Sequence, residues 1–480
     1  MTDEKNRNRI MAVLFLGVLM GALDIAIIAP ALPSIQGSFQ VGDRLLAWTF
    51  TIYVLFNLIG TPLMAKLSDT LGRRSVYILD VALFACGSLV VALSPSFGVL
   101  LAGRALQGFG AGGIFPVASA VIGDTFPPEK RGSALGLIGA VFGLAFIIGP
   151  VLGGVLLAFL GWQWLFIVNL PIAAVVIALS INLLPRSRPE TRPLFDWPGM
   201  ASLSVLLVSL AYAINQIDTG QFFTSLASKG VWPFLLIAAL LLPIFIYIER
   251  RAKDPILCLD LFSTRQAVLA NFLAAGAGLG EVGMVFMPAL AVAALGFTKS
   301  ASSYLLMPVV LTMAIGSPLV GRLLDRLGSR VVVLVGAGLL AGGMFLLSLL
   351  ASSLAMFILS GVVIGLGLSA LLGAPVRYIM LNEASPENRT SAQGAIALFT
   401  SVGQLISSSL VGAVAASQGG GVAGYSEAYL VIGGVALLLM VLTLGLKSRA
   451  AEKATLQKAD LHLRGLSHKI TAQIQQNGGN

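Results

Sequence analysis

The sequence predicts an all-α membrane protein with fourteen transmembrane helices, built from two six-helix repeats and two inserted helices. Of its 480 residues, 57% are hydrophobic and only 11% are charged, and the mean hydropathy is +0.93. Soluble domains do not reach this balance. Charged or turn-rich breaks divide the chain into fourteen segments, each close to the about 20 apolar residues that one spanning helix needs.

The predicted spans share an apolar centre and a polar or turn-rich border at each end. They cover residues 10–31, 46–65, 76–94, 98–122, 133–158, 163–184, 198–217, 231–249, 267–293, 303–321, 331–351, 354–381, 391–416 and 427–446. The first segment is too long for a cleaved signal peptide and has no small-residue cleavage site, so we expect it to remain in the mature protein.

The basic residues predict the orientation. Twenty-six of the thirty Lys and Arg residues fall in the termini and in alternate loops, whereas Arg44, Lys229 and Lys299 fall on the opposite side. Because basic loops stay in the cytoplasm, both termini are expected on the cytoplasmic side. The protein itself is expected in the inner cell membrane. The net charge of +9 is therefore a topology signal and does not indicate nucleic-acid binding.

Few side chains are suited to metal or disulfide chemistry. Cys86 lies within a predicted helix, Cys258 lies in a loop, and the two histidines, His462 and His468, lie in the C-terminal tail. Neither a disulfide framework nor a spaced metal motif is present, so no metal or other cofactor is expected.

An internal repeat relates the two halves of the chain. AKLSDTLGRR, which contains Asp69, is echoed by GRLLDRLGSR, which contains Asp325, 256 positions later. A second echo, PPEKRGSALG and SPENRTSAQG, has an offset of 258 positions. The repeat assigns residues 10–184 and 267–446 to equivalent six-helix bundles and residues 185–266 to a linker with two inserted helices. Residues 1–9 and 447–480 form the cytoplasmic ends.

Three charged residues lie more than five positions from either end of a predicted span. Asp24 is near the middle of the first span, and the repeat offset maps it to Glu281, the only acid of the ninth. An intramembrane acid usually faces a bundle interior or a wet cavity and serves ion or proton traffic, although a structural hydrogen bond is the alternative. Arg104 needs an acid or several carbonyls as partners. Asp24 is the natural partner, and Arg104 would either cap carbonyls of the first helix or adjust the proton affinity of the acid.

Several motifs resemble the major facilitator superfamily, specifically its fourteen-helix drug:proton antiporter branch, over residues 10–446. They are ALDIAIIAPALP at 22–33, WTFTIYVLFNLIG at 48–60, AKLSDTLGRR at 65–74, RALQGFGAGG at 104–113, GLAFIIGPVLGG at 143–154 and WQWLFIVNLP at 162–171. The resemblance implies a rocking transporter with its substrate site between the two bundles. It also identifies the segment at 143–154 as the antiporter signature, with Gly143, Gly149, Pro150, Gly153 and Gly154 as its motif residues.

The loop at 65–74 predicts a conformational latch. Gly72 permits a tight turn, and Asp69 can accept hydrogen bonds from the free amides that begin the thirteenth helix near Ser391. Arg73 or Arg74 would then pair with Asp124. The equivalent latch residues in the second half are Asp325 and Arg330. Alternatively, these charges only enforce the topology.

The expected function is proton-coupled export of lipophilic or cationic small molecules by alternating access, by a protein that is not an enzyme and acts as a monomer. Asp24, Glu281 and Arg104 would couple the proton. Candidates for the substrate cavity are Met20, Tyr53, Asn57, Gln107 and Met284. No nucleotide-binding motif is present, so the energy would be ionic. Alternatives are an exporter of lipids or lipid-linked molecules on the same fold, or a membrane sensor that does not transport.

Overall fold

The computed structural model describes residues 4–185, 196–252, 255–257, 259–384, 389–452 and 454. Within these residues the regular structure is entirely helical, and fourteen stretches are long and apolar enough to cross a membrane. The predicted fold class is therefore confirmed. The predictions for Cys258 and for the tail beyond residue 454 lie outside the described residues.

The helices follow the predicted order. The first bundle contains α1 (Glu4–Phe39), α2 (Asp43–Leu71), α3 (Arg73–Ala92), α4 (Phe97–Thr125), α5 (Pro128–Phe159), α6 (Trp164–Ile167) and α7 (Asn169–Leu183). The insertion contains α8 (Trp197–Gln216), α9 (Phe222–Leu226) and α10 (Trp232–Arg251). The second bundle contains α11 (Arg265–Val285), α12 (Met287–Leu295), α13 (Lys299–Tyr304), α14 (Met307–Leu327), α15 (Ser329–Leu350), α16 (Leu354–Leu371), α17 (Ala374–Glu383), α18 (Arg389–Ser417) and α19 (Gly421–Thr443).

Four predicted spans are each divided into two helices. The breaks fall between α6 and α7, α11 and α12, α13 and α14, and α16 and α17. In the last three pairs the second helix has a proline in its first two positions: Pro288, Pro308 and Pro375. Proline lacks an amide hydrogen and is tolerated best at the start of a helix, so each proline marks a restart. Hydropathy does not show these breaks because the flanking residues remain apolar.

Small residues let the helices within each bundle approach closely. A methyl group at Gly108 of α4 would lie 2.2 Å from the carbonyl oxygen of Tyr53 in α2. In the second bundle, a methyl group at Gly403 of α18 would lie 1.8 Å from the carbonyl oxygen of Ala275 in α11. Such backbone contacts are typical of helix packing in lipid. No hydrophobic driving force holds helices together there, and small residues allow the close van der Waals packing that does.

Equivalent turns connect helices two and three of each bundle. Gly72 joins α2 to α3 with a φ of 90°, and Gly328 joins α14 to α15 with a φ of 83°. Residues with a side chain rarely adopt this backbone, so glycine is required at both turns. We call the face that carries these two turns the inner face, and the opposite face the outer face.

The insertion packs at the edge of the two bundles. Its helices α8 and α10 pack against each other, and α8 also contacts α2 and α18. Much of α10 is exposed and apolar, with Leu240, Ile244 and Tyr247 each about half exposed. In a membrane this surface faces lipid.

Candidate functional site

Asp24 and Arg104 form an ion pair inside the first bundle. Arg104 Nη1 donates to Asp24 Oδ2 over 2.5 Å, and both side chains are fully buried. Asp24 lies in α1 and Arg104 in α4, eighty positions apart. Burial of either charge alone would be costly, so each requires the other.

Three neutral polar side chains complete the surroundings of Asp24. Gln107 Nε2 donates to Asp24 Oδ1 over 2.9 Å, and Gln107 Oε1 accepts from Arg104 Nη1 over 2.9 Å. Asn169, in the first turn of α7, donates to Asp24 Oδ1 over 3.3 Å. Ser88 of α3 accepts from Gln107 over 2.7 Å and from Asn169 over 3.3 Å. We call Asp24, Ser88, Arg104, Gln107 and Asn169 the acid cluster.

Arg104 is also held by helix α2 and lies close to two aromatic rings. Its Nε donates to the carbonyl oxygen of Thr49 over 3.1 Å. Its guanidinium carbon lies 4.3 Å from the ring centre of Tyr53 and 5.8 Å from that of Phe166. Cation–π attraction of this kind strengthens when water is excluded. The backbone partner is thus in α2, whereas the sequence suggested carbonyls of the first helix.

Some polar atoms around the acid cluster have no hydrogen-bond partner among the described residues. They are Arg104 Nη2, Tyr53 Oη, Thr49 Oγ1 and Asn169 Oδ1, and all are buried. Buried polar groups are usually paired, so these atoms provide donors and acceptors for a rearranged network. The cluster therefore retains donors and acceptors that the described contacts do not use.

Glu281 has a simpler environment in the second bundle. Its Oε2 accepts from Gln404 Nε2 of α18 over 2.9 Å, and its side chain is partly exposed. Within the described part of the chain, no Lys or Arg lies within ion-pair distance of Glu281. The two equivalent acids therefore differ: Asp24 faces a permanent positive charge, and Glu281 faces a neutral amide.

The five cavity candidates fall into different environments. Tyr53 and Gln107 contact Arg104, as described above. Met20 and Met284 are buried in the hydrophobic core. Asn57 is partly exposed on α2. The structure thus brings two of the candidates to the acid cluster and leaves the two methionines in ordinary packing.

The predicted latch centres on Arg73. Arg73 pairs with Asp69, and its Nε donates to Asp124 Oδ2 over 3.3 Å, so the structure selects Arg73 over Arg74 as the partner of Asp124. The thirteenth helix, α18, begins at Arg389. Residues 385–388, just before it, lie outside the described chain, and the proposed contact between Asp69 and the start of α18 stays a prediction.

In the second bundle, the loop equivalent to the latch contacts the start of the C-terminal tail. Arg449 Nη2 donates to the carbonyl oxygen of Asp325 over 3.0 Å, and Glu452 accepts from Ser329. Arg330 lies in the first turn of α15. The two loops thus have the same turn but different partners.

The antiporter motif packs α5 against α1. A methyl group at Gly149 would lie 2.4 Å from Ala26 Cβ, and one at Gly153 would lie 2.8 Å from Pro30 Cβ. Helix α5 continues through Pro150. Gly143 is exposed, and a methyl group there would meet no atom within 4 Å. The close packing is therefore concentrated in the outer half of the motif.

Direct hydrogen bonds join the two bundles near the outer face. Ser300 Oγ donates to the carbonyl oxygen of Gly154 over 2.6 Å, and Tyr425 Oη donates to Asp43 Oδ1 over 2.7 Å. The hydroxyl oxygens of Thr51 and Ser408 are 2.7 Å apart and share a hydrogen bond. The outer ends of the bundles are thus closed against each other in this conformation.

The arrangement of two helical bundles and an insertion matches a known family. The sequence profile of the Major Facilitator Superfamily matches residues 14–277 and 267–473. The chain belongs to this superfamily. An MFS-type transporter of Bacillus subtilis (strain 168), YfiU, is 33% identical over 85% of this chain and 80% of its own length. Multidrug resistance protein 3 of the same organism is 30% identical over 84% of this chain and 78% of its own length.

A solved structure shares the superfamily fold. A POT family transporter in complex with 5-aminolevulinic acid is 13% identical, with a TM-score of 0.67 over 90% of this chain and 95% of its own. At this identity the likeness concerns the fold alone. Together with the curated relatives, the family match shows that this protein is a membrane transporter of the Major Facilitator Superfamily and not an enzyme.

Proposed function

We propose that this Major Facilitator Superfamily transporter is a proton-coupled multidrug antiporter that exports lipophilic or cationic small molecules. The observation that carries the proposal is the pair of embedded acids at equivalent places in the two bundles, Asp24 with Arg104 and Glu281 with Gln404. Multidrug resistance protein 3, about 30% identical, supports the substrate class.

In this mechanism the acids bind a proton or a substrate cation, but not both together. An ionised Glu281 is a counter-charge for a cation, and the neutral amide of Gln404 does not compete for it. Protonation of Glu281 removes that counter-charge and releases the cation. Such exclusive binding at one carboxylate is the minimum requirement for exchange of a proton against a drug.

Asp24 links the proton to the packing of the first bundle. When Asp24 is ionised, Arg104 neutralises it and joins α1 to α4. When a proton neutralises Asp24, Arg104 keeps its charge and its bonds to Gln107 and the Thr49 carbonyl. The contact between α1 and α4 then weakens. The Asp24–Arg104 pair therefore has two states, and binding of the proton shifts the equilibrium between them.

The available energy suffices for uphill export. One proton that crosses a membrane potential of 100 mV releases about 2.3 kcal/mol, and the pH difference adds to this. A tenfold concentration ratio of a neutral solute costs about 1.4 kcal/mol. One proton per neutral substrate therefore sustains a gradient of more than tenfold. Exchange of one proton for a monovalent cation is electroneutral, so only the pH difference drives it, and about one pH unit sustains a tenfold gradient.

The test is transport by purified protein in proteoliposomes with an imposed pH gradient and a fluorescent amphipathic cation. We expect the wild type to accumulate the cation and to dissipate the pH gradient as it does so. Asp24→Asn and Glu281→Gln keep the side-chain shape and abolish titration, so each should stop pH-driven accumulation when the proteoliposomes contain equal amounts of folded protein. The matched control is Glu427→Gln, which neutralises an exposed acid of α19 outside the site.

The outcomes separate the proposal from its alternatives. Full pH-driven transport by Glu281→Gln would leave Asp24 as the only coupling acid. Movement of a labelled lipid, without movement of the cation, would favour a lipid exporter. If neither moved, the proposed antiport would be wrong.

A further inference from the structure

We propose that the outer end of the inserted helix α8 is part of the outer gate, and that Asn215 positions it there. We call residues 215–219 the outer bridge. They are the last two residues of α8, Asn215 and Gln216, and the three residues that follow it, Ile217, Asp218 and Thr219. The two inserted helices would then take part in alternating access.

The outer bridge is bound to the first bundle through Asn215. This side chain is 1% exposed, and both ends of its amide are used. Its Oδ1 accepts from Trp48 Nε1 over 3.0 Å, and its Nδ2 donates to the carbonyl oxygen of Arg44 over 3.1 Å. Arg44 also donates to the carbonyl oxygen of Ile217 over 3.2 Å. The outer bridge therefore holds the first two turns of α2.

The same residues are bound to the second bundle through Ser417, at the end of α18. The amide nitrogen of Thr219 donates to Ser417 Oγ over 3.1 Å, and Ser417 Oγ lies 3.4 Å from the carbonyl oxygen of Ile217. Asp218 Oδ1 caps the amide of Gly220, and Ser225 Oγ caps the amide of Asp218. These local bonds fix the bridge so that it can hold both bundles at once.

Gly412 marks the point at which the three helices meet. A methyl group at this position of α18 would lie 2.4 Å from Ala47 Cβ in α2 and 3.2 Å from Asn215 Nδ2 in α8. Close by, the hydroxyls of Thr51 and Ser408 join α2 to α18 directly. Separation of α2 from α18 at the outer face therefore requires the bridge to release one of them.

If Asn215 belongs to the gate, its loss should change how often the outer gate opens. A purely structural role of Asn215 does not predict this change. In this proposal the bridge releases α2 when the outer ends separate, so the Asn215 bonds exist only in the closed conformation. Their loss should therefore make the closed gate open more often. The loss of two hydrogen bonds shifts this equilibrium by roughly tenfold or more. The opening is measurable as access to a buried position between α2 and α18.

The experiment uses the full chain with Cys86→Ser and Cys258→Ser, and Ser408→Cys as the reporter in every variant. Ser408 is fully buried in the closed gate. A membrane-impermeant maleimide is added from the outer side of intact cells. Asn215→Leu should raise the initial labelling rate roughly tenfold. Ser202→Ala, which removes a hydroxyl bonded within α8 itself, is the matched control and should leave the rate unchanged.

Trp48→Phe keeps a ring beside Tyr212 and removes only the indole donor to Asn215. It should also raise the labelling rate, and it decides the question if Asn215→Leu is poorly produced. Unchanged or slower labelling in the variants that are produced normally would overturn the proposal. The readout is access to one position, so it does not depend on proton coupling or on the identity of the substrate.

Discussion

A double-mutant cycle on Asp24 and Arg104 tests the energetic basis of the acid cluster. Arg104→Leu leaves Asp24 buried without its counter-charge and removes the bonds to Gln107 and to the Thr49 carbonyl. Loss of one partner from a buried ion pair costs about 3–5 kcal/mol of folding stability. Asp24→Asn leaves Arg104 as the unpaired charge, and we expect a cost of similar size.

The double variant removes both charges, so no uncompensated charge remains in the bundle. Its cost should be lower than the sum of the two single costs by about 2–3 kcal/mol, the upper part of the coupling range of about 0.5–3 kcal/mol for residues in direct contact. The cation–π contact of Arg104 with Tyr53 is lost in Arg104→Leu and in the double variant alike, so it cancels from the coupling.

The assay is thermal or denaturant unfolding of the purified variants in one detergent, followed by tryptophan fluorescence. Arg73→Leu combined with Asp24→Asn serves as the control cycle, because Arg73 pairs with Asp69 and Asp124 instead. The control costs should add. If the costs of Asp24→Asn and Arg104→Leu also add, the two charges are not coupled, and the assignment of Arg104 as the partner of Asp24 is wrong.

Three further outcomes are expected. Asp69→Asn should slow transport severalfold at near-normal expression, because it removes a conformational contact at the inner face. If the transport kinetics were unchanged, the charges of this loop would serve only to set the topology. Gly149→Val should cost about 1–3 kcal/mol by overpacking α5 against Ala26, whereas Gly143→Val, which enters open space, should be close to neutral in the same unfolding assay. Cys258 should react with an impermeant maleimide only from the inner side, and labelling from outside intact cells would contradict the helix count.

The sequence by itself determined the number and order of the membrane helices and the equivalence of the two bundles. Both follow from properties that are local in the chain. The free energy of placing a segment in lipid depends on its own side chains, so hydropathy locates the spans. Duplication leaves a fixed offset, and that offset related Asp24 to Glu281. The cost of an unpaired guanidinium in lipid also predicted an acid beside Arg104.

Tertiary structure alone decided which side chains meet. Ser88 has no distinctive pattern in the sequence, and the motif at 162–171 does not mark Asn169 as a partner of Asp24, yet both residues belong to the acid cluster. Asn215 looks like an ordinary polar residue near a helix end, yet it connects the insertion to α2. Hydropathy does not specify how far each helix is rotated about its axis or how deep it lies. Those two quantities are set by packing between helices that are distant in sequence, and they determine which polar groups face each other.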